Sequence, residues 1–134
     1  LSDLAGRGRG QSSVEIRARV EEARARQRSR YSRMRSAKCN AHASGRWLQA
    51  ESNWSEEARR LLNTAAESLA LSARGYHRVI KVARTIADLD QSGGIAPHHV
   101  AEALRYRPAT ARVPEPPHAV VSLSMAADDL AGCV

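Results

Sequence analysis

Between residues 71 and 89 the apolar side chains Tyr76, Val79, Ile80, Ala83, Ile86 and Ala87 recur at three- and four-residue steps, which predicts a helix with one buried face. Ser72 stands just ahead of that run and offers an N-cap oxygen, so the helix begins there. At about 100° per residue, Arg74, Arg78 and Lys81 fall within roughly 60° of one another on the opposite side. A cation in the first turn sits on the positive end of the helix dipole and is mildly unfavourable there without a nearby anion. The helix N-terminus and Arg74 together suit a phosphate.

The same pattern divides the rest of the chain. Ser12-Ser13-Val14-Glu15 matches a capping box and opens a helical run to about Met34, with Ile16, Val20, Ala23 and Met34 on one narrow face and Gln27 and Tyr31 near it. Residues 35 to 46 are expected to be a loop, leading into a short helix capped by Ser44 and anchored by Trp47 and Leu48. Asn53 or Ser55 caps a further helix from Glu56 to about Leu69, whose inward stripe is Ala58, Leu61, Leu62, Ala65 and Leu69. The short connection at Leu71 predicts that this helix packs against the next as an antiparallel or steeply angled pair. Asp90-Gln91-Ser92-Gly93-Gly94 ends the 72–89 helix with glycines suited to left-handed backbone. Ile95, Pro97 at a first helical position, Val100, Ala103 and Leu104 mark a last helix to about Tyr106. The fold class is therefore all-α, a small bundle of four to five helices over residues 11–107. It is preceded by a flexible basic linker, 1–10, and followed by a Pro-rich tail, 108–134, expected to be disordered.

Composition agrees with helices: Ala, Leu and Arg dominate, and the chain of 134 residues has no Phe. The net charge of +7 suits an anionic partner. Eleven of the 21 Lys and Arg lie between Arg7 and Lys38, so the excess is local. On the first helix these arginines make either a solvated face or a surface for nucleic acid, with Arg17, Arg24 and Arg28 as the candidate contacts. Two cysteines, Cys39 and Cys133, favour reduced thiols and a cytoplasmic location over a disulfide scaffold. No apolar run reaches spanning length, so no membrane partner is expected.

Candidate chemistry is sparse. A phosphate-binding G-x-x-x-x-G-K-[ST] turn is absent from the sequence, and Gly6 to Gly10 lacks the lysine, the hydroxyl residue and a preceding strand. His77 and Ser72 do not form a catalytic set, so this stretch is expected to have no enzymatic activity alone. Cys39 and His42 have a C-x-x-H spacing with no second pair to complete a zinc site, and the adjacent His98 and His99 point in different directions on a helix, so no metal is expected. His77 is expected to be packed and hydrogen-bonded, and Arg84 to pair with an acidic side chain.

Ser72-Ala73-Arg74-Gly75-Tyr76-His77-Arg78-Val79-Ile80-Lys81-Val82-Ala83-Arg84-Thr85-Ile86-Ala87-Asp88-Leu89 closely resembles the C-terminal region of magnesium-chelatase-like AAA+ ATPases of the bacterial ComM (YifB) type. Gln11-Ser12-Ser13 with Arg17-Ala18-Arg19-Val20, Lys38-Cys39-Asn40-Ala41, and the run from Ile95 to Arg107 extend the resemblance, in one order, over residues 11 to 107. Gly75 departs from the family's better helix formers at that position.

The resemblance implies a helical lid that follows a separate N-terminal AAA+ core of the same protein. That core would hold most of the ATP and Mg²⁺. Arg74 matches the lid arginine that reaches the ATP γ-phosphate, with Arg78 one turn on as the reserve cofactor-binding residue. The family further implies a cytoplasmic homo-hexameric ring, neighbouring subunits as partners, and coupling of ATP hydrolysis to ring conformation in DNA branch migration during natural transformation. Two other readings rest on the residues alone. One is a free-standing basic helical module that binds nucleic acid, and the other is a helical protein-interaction domain.

Overall fold

The computed structural model describes residues 10–107. The linker expected at residues 1–10, apart from Gly10, and the tail expected from residue 108 lie outside the described residues. The described residues form five helices: α1 (Ser13–Arg30), α2 (Gly45–Glu51), α3 (Glu56–Ser68), α4 (Ala73–Leu89) and α5 (Pro97–Arg105). Four of the five begin at a serine. Ser12 accepts from the Glu15 N–H at 3.3 Å while Glu15 Oε2 takes the Ser12 N–H at 2.8 Å, closing the capping box. Ser44, Ser55 and Ser72 accept from the Trp47, Ala58 and Gly75 N–H groups. Each satisfies one of the donors that a helix start leaves open.

The central element is α4. Its Val79, Ile80, Ala83, Ile86 and Ala87 are buried, and α1, α2 and α5 all pack against it. The expected pairing of α3 with α4 is corrected. The main partner of α3 is α5, and the tie from α3 to α4 is the Tyr76 hydroxyl, which donates to Asn63 Oδ1 at 3.2 Å. The connection explains this. Ala70 takes a left-handed conformation, φ 47°, which swings the chain away from α3 before Ser72 starts the next helix. Leu69, expected inside, is 44% exposed as a result.

A two-residue parallel pairing joins β1 (Asn53–Trp54) to β2 (Gly94–Ile95). A Cβ on Gly94 would stand 2.8 Å from the Asn53 carbonyl oxygen, so the close approach of the two backbones requires glycine. The left-handed residue after α4 is Gln91, φ 56°, and not Gly93 or Gly94 as expected. Gln91 is stabilised there by its side chain, which donates to Glu22 of α1.

The first helix is shorter than expected, ending at Arg30, with turns through residue 33. Its buried residues lie in its C-terminal half and at its end. Ala23, Gln27 and Tyr31 are buried, whereas Ile16 and Val20 are 48% and 37% exposed. The loop after it is a core element, with Ala37, Asn40 and Ala43 all buried. Gly45, first residue of α2, lies so close to α4 that a Cβ would be 2.6 Å from His77 Cβ. His77 is thus packed as expected, but no hydrogen bond to it forms among the described residues.

Beneath α1 and the loop lies a buried ionic cluster. Asp88 is fully buried and receives both η nitrogens of Arg30, Nδ2 of Asn40 at 2.9 Å, and Nε and Nη2 of Arg84 at 3.2 and 2.9 Å. Arg84 also donates to the Ser92 carbonyl at 2.9 Å. Asn40 Oδ1 in turn accepts from Arg30 and from the Tyr31 hydroxyl. Burial alone would raise the Asp88 carboxyl, but the donors of Arg30 and Asn40 and the charge of Arg84 outweigh it and hold it below the usual carboxylate range. The acidic partner expected for Arg84 is therefore Asp88, and the cluster fixes α1 and the 35–44 loop onto α4.

Candidate functional site

The start of α4 opens onto a groove of about 340 Å³. Leu71, Val79, Val82 and Ala103 give it an apolar floor, and Arg74, Arg78 and Arg107 stand in its wall. No carboxylate lines it, and the first turn of α4 carries no acid. Neither Asp88, held by Arg30 and Arg84, nor Glu102, which accepts from the Tyr106 hydroxyl at 3.3 Å, pairs with Arg74. Arg74 and Arg78 are exposed and make no hydrogen bond or ion pair among the described residues. Three guanidinium groups beside a helix N-terminus form a positive site that an external phosphate would neutralise.

The expected row of cations is shorter than the sequence predicts. Lys81 is half-buried and donates to the Ala41 carbonyl at 2.9 Å, holding the 35–44 loop. Arg107, from the other end of the domain, replaces it in the groove, and its Nη1 is buried without a hydrogen-bond partner among the described residues. Helical periodicity in α4 could not have found Arg107. The only signal was its position at the end of the run from Ile95 that carries the family resemblance.

Gly75 sits at the third position of α4 with room for a methyl group, its nearest neighbour being Ser72 Oγ at 3.4 Å. Gly75→Ala is therefore expected to stabilise the domain by about 0.5–1 kcal/mol, because helical glycine loses more backbone freedom on folding. A thermal melt should show a rise of about 3–6 °C.

The groove's lining holds no histidine, cysteine or carboxylate. Elsewhere, Asp90, His98 and His99 bring three possible metal-ligand atoms within 4.8 Å of one another. Their bonding argues against a metal. His99 Nδ1 accepts from the Ala96 N–H at 2.9 Å, so the neutral ring carries its proton on Nε2, 3.2 Å from Asp90 Oδ2. That nitrogen has no lone pair for an ion. His99 is instead the third residue of α5, and its ring takes the N–H of the N-cap residue, Ala96, which has no side-chain oxygen of its own. Cys39 is half-buried and His42 exposed, and they are not part of this trio.

His99 is 1% exposed, and burial, with the adjacent His98, pushes its pKa below the usual histidine value. The unfolded chain takes up this proton near pH 6.5 while the folded domain resists it. Stability from His99 is thus complete above pH 6.5 and is lost as the pH falls. Asp90 opposes this shift and Arg84 adds to it. Stability should decline as the pH falls below 6.5, by at most about 1.4 kcal/mol per pH unit, and His99→Gln should flatten that slope.

Of the residues expected to contact nucleic acid, Arg17, Arg24 and Arg28 are exposed on one flank of α1. Arg24 and Arg28 line a second groove of about 600 Å³, between α1, the 35–44 loop and α4. Arg17 lies farther out on the same flank, beyond that groove.

Residues 10–107 match the family model described as "Magnesium chelatase, subunit ChlI C-terminal". Competence protein ComM of Haemophilus influenzae is 40% identical over 73 residues, which is 54% of this chain and 14% of that protein. The uncharacterized protein YifB of Salmonella typhimurium is 38% identical over 73 residues, 54% of this chain and 14% of that protein. YifB of Escherichia coli is 56% identical over 39 residues, 29% of this chain and 8% of that protein. The matched stretch is thus about one-seventh or less of each relative's length. With a family match that runs through all five helices, the chain belongs to the magnesium chelatase ChlI C-terminal family.

Proposed function

We propose that the domain is the helical lid of a magnesium-chelatase-like AAA+ ATPase, and that Arg74 contacts the γ-phosphate of an ATP held by an AAA+ core. The observation that carries this reading is the groove at the start of α4: Arg74 and Arg78 are exposed and unpaired among the described residues, and no carboxylate lines the wall. A triphosphate supplies the missing negative charge, and a guanidinium placed against it stabilises the charge that develops as the phosphoryl group leaves. Because the arginines stand on α4, and α4 is packed by three other helices, a phosphate on Arg74 pulls on the whole domain. Nucleotide state is in that way coupled to lid orientation, and through it to the conformation of a homo-hexameric ring. The likeness to a competence protein supports a role in natural transformation, within which the reading places DNA branch migration in the cytoplasm.

Hydrogen exchange in the protein that carries the ATPase core tests this. Adding Mg²⁺ and a non-hydrolysable ATP analogue should slow exchange of the amides of residues 73–79 at least threefold. Unchanged exchange there, with the core's own phosphate-binding segment protected, would argue against the reading.

A further inference from the structure

The nucleotide reading leaves the first helix unexplained. Between residues 10 and 38 the chain has nine Lys and Arg and three Asp and Glu. Two of the three acids are occupied within the fold, Glu15 by the capping box and Glu22 by Gln91. Two of the nine cations are occupied as well, Arg30 by Asp88 and Arg19 by Gln11 and Asp90. The remaining seven cations make no ion pair among the described residues, and they outnumber the three carboxylates, of which Glu21 lies on the same face as Arg17 and Arg24.

Their placement is ordered. Arg17, Arg24 and Arg28 lie within about 40° of one another on α1, at 100° per residue, and span 11 residues or about 16 Å along its axis. That is the axial reach of about five phosphates on one strand of a duplex, at about 3.4 Å each. Lys38 continues the row across the second groove, which it lines with Arg24 and Arg28 and which contains no carboxylate. No aromatic side chain lines this groove, so it lacks the stacking platform on which single-stranded bases are held.

We propose that Arg17, Arg24, Arg28 and Lys38 form a docking row for the phosphate backbone of a nucleic-acid duplex, read without regard to base sequence. The row lies on α1 and the 35–44 loop and shares no residue with the groove at the start of α4. The proposal therefore stands or falls independently of the nucleotide reading.

Titration of the chain against a fluorescent 20-base-pair DNA duplex over a salt series tests it. About four phosphate contacts give a slope near −3.6 in log affinity against log salt. The variant Arg17→Gln/Arg24→Gln/Arg28→Gln/Lys38→Gln should bind at least tenfold more weakly, with the slope reduced by about 3.6. The variant Arg46→Gln/Arg59→Gln/Arg60→Gln/Arg105→Gln removes the same charge from exposed positions elsewhere and should bind within threefold of the parent. All eight residues are exposed, so both variants should fold, and a circular dichroism spectrum like the parent's checks that they do. The proposal is overturned if the parent does not bind the duplex, if the two variants weaken binding equally, if single-stranded DNA of the same sequence binds more tightly, or if polyglutamate competes as well as duplex DNA.

Discussion

Asp88→Asn is expected to unfold the domain or lower its melting temperature by about 15 °C or more. The side chain has no exposed surface and is the shared anion of Arg30 and Arg84, of which Arg84 is itself only 3% exposed. Replacing the carboxylate with an amide keeps the volume but removes the charge. It also sets an NH₂ group against guanidinium donors that need an acceptor. Breaking a buried pair from one side leaves an uncompensated charge, at a cost of about 3–5 kcal/mol. That is a large part of the roughly 5–15 kcal/mol that holds a domain folded. The comparison with Arg30→Gln sharpens the result. Arg30 is 22% exposed at its side chain, and its loss leaves Asp88 still paired with Arg84 and Asn40, so the drop should be clearly smaller. Equal melting temperatures for parent and Asp88→Asn would show that the cluster does not hold the helices together. Acid should reproduce part of the effect: Asp88 has a lowered pKa, so its contribution is complete above the unfolded value near pH 4 and fades below it.

The second large effect concerns hydrolysis rather than folding. Arg74 is exposed and makes no ion pair or hydrogen bond among the described residues, so Arg74→Ala should leave the melting temperature within a degree or two. In the protein that carries the ATPase core, the same change would remove the donor that we propose meets the charge developing during phosphoryl transfer. Loss of one such donor lowers kcat by about a hundredfold to a thousandfold. The effect should fall on kcat more than on KM, because the contact strengthens in the transition state. Arg78 stands about 6 Å farther along α4, so Arg78→Ala should cost less, about tenfold. Arg74→Lys keeps the charge but not the planar fork, and should recover only part of the rate.

Much of this architecture is legible in local chemistry. Serine caps fix where four helices start, and the three- and four-residue repeat of α4 fixes which side faces inward, because both depend on neighbours within one or two turns. What escapes is set by partners far along the chain. Whether α3 meets α4 or α5 turns on the left-handed Ala70, a conformation that alanine does not advertise. Asn40 lies in a polar segment that looks like an ordinary loop, yet its amide bonds Asp88, 48 positions away. The β1–β2 pairing is two residues long, too short to leave an alternating pattern. At the groove, Arg74 and Arg78 follow from helical spacing, whereas Lys81 and Arg107 exchange roles for reasons of tertiary position. His98 and His99 also mislead on helix geometry alone. They are adjacent in sequence, yet their ring centroids are 3.9 Å apart because both rings turn toward Asp90.

The phosphate contact proposed for Arg74 is best tested by the single-turnover rate of ATP hydrolysis, measured for Arg74→Ala beside its parent in the protein that carries the ATPase core. A fall of at least a hundredfold at saturating ATP, with the melting temperature unchanged, is the predicted result. A rate within twofold of the parent would contradict the phosphate contact.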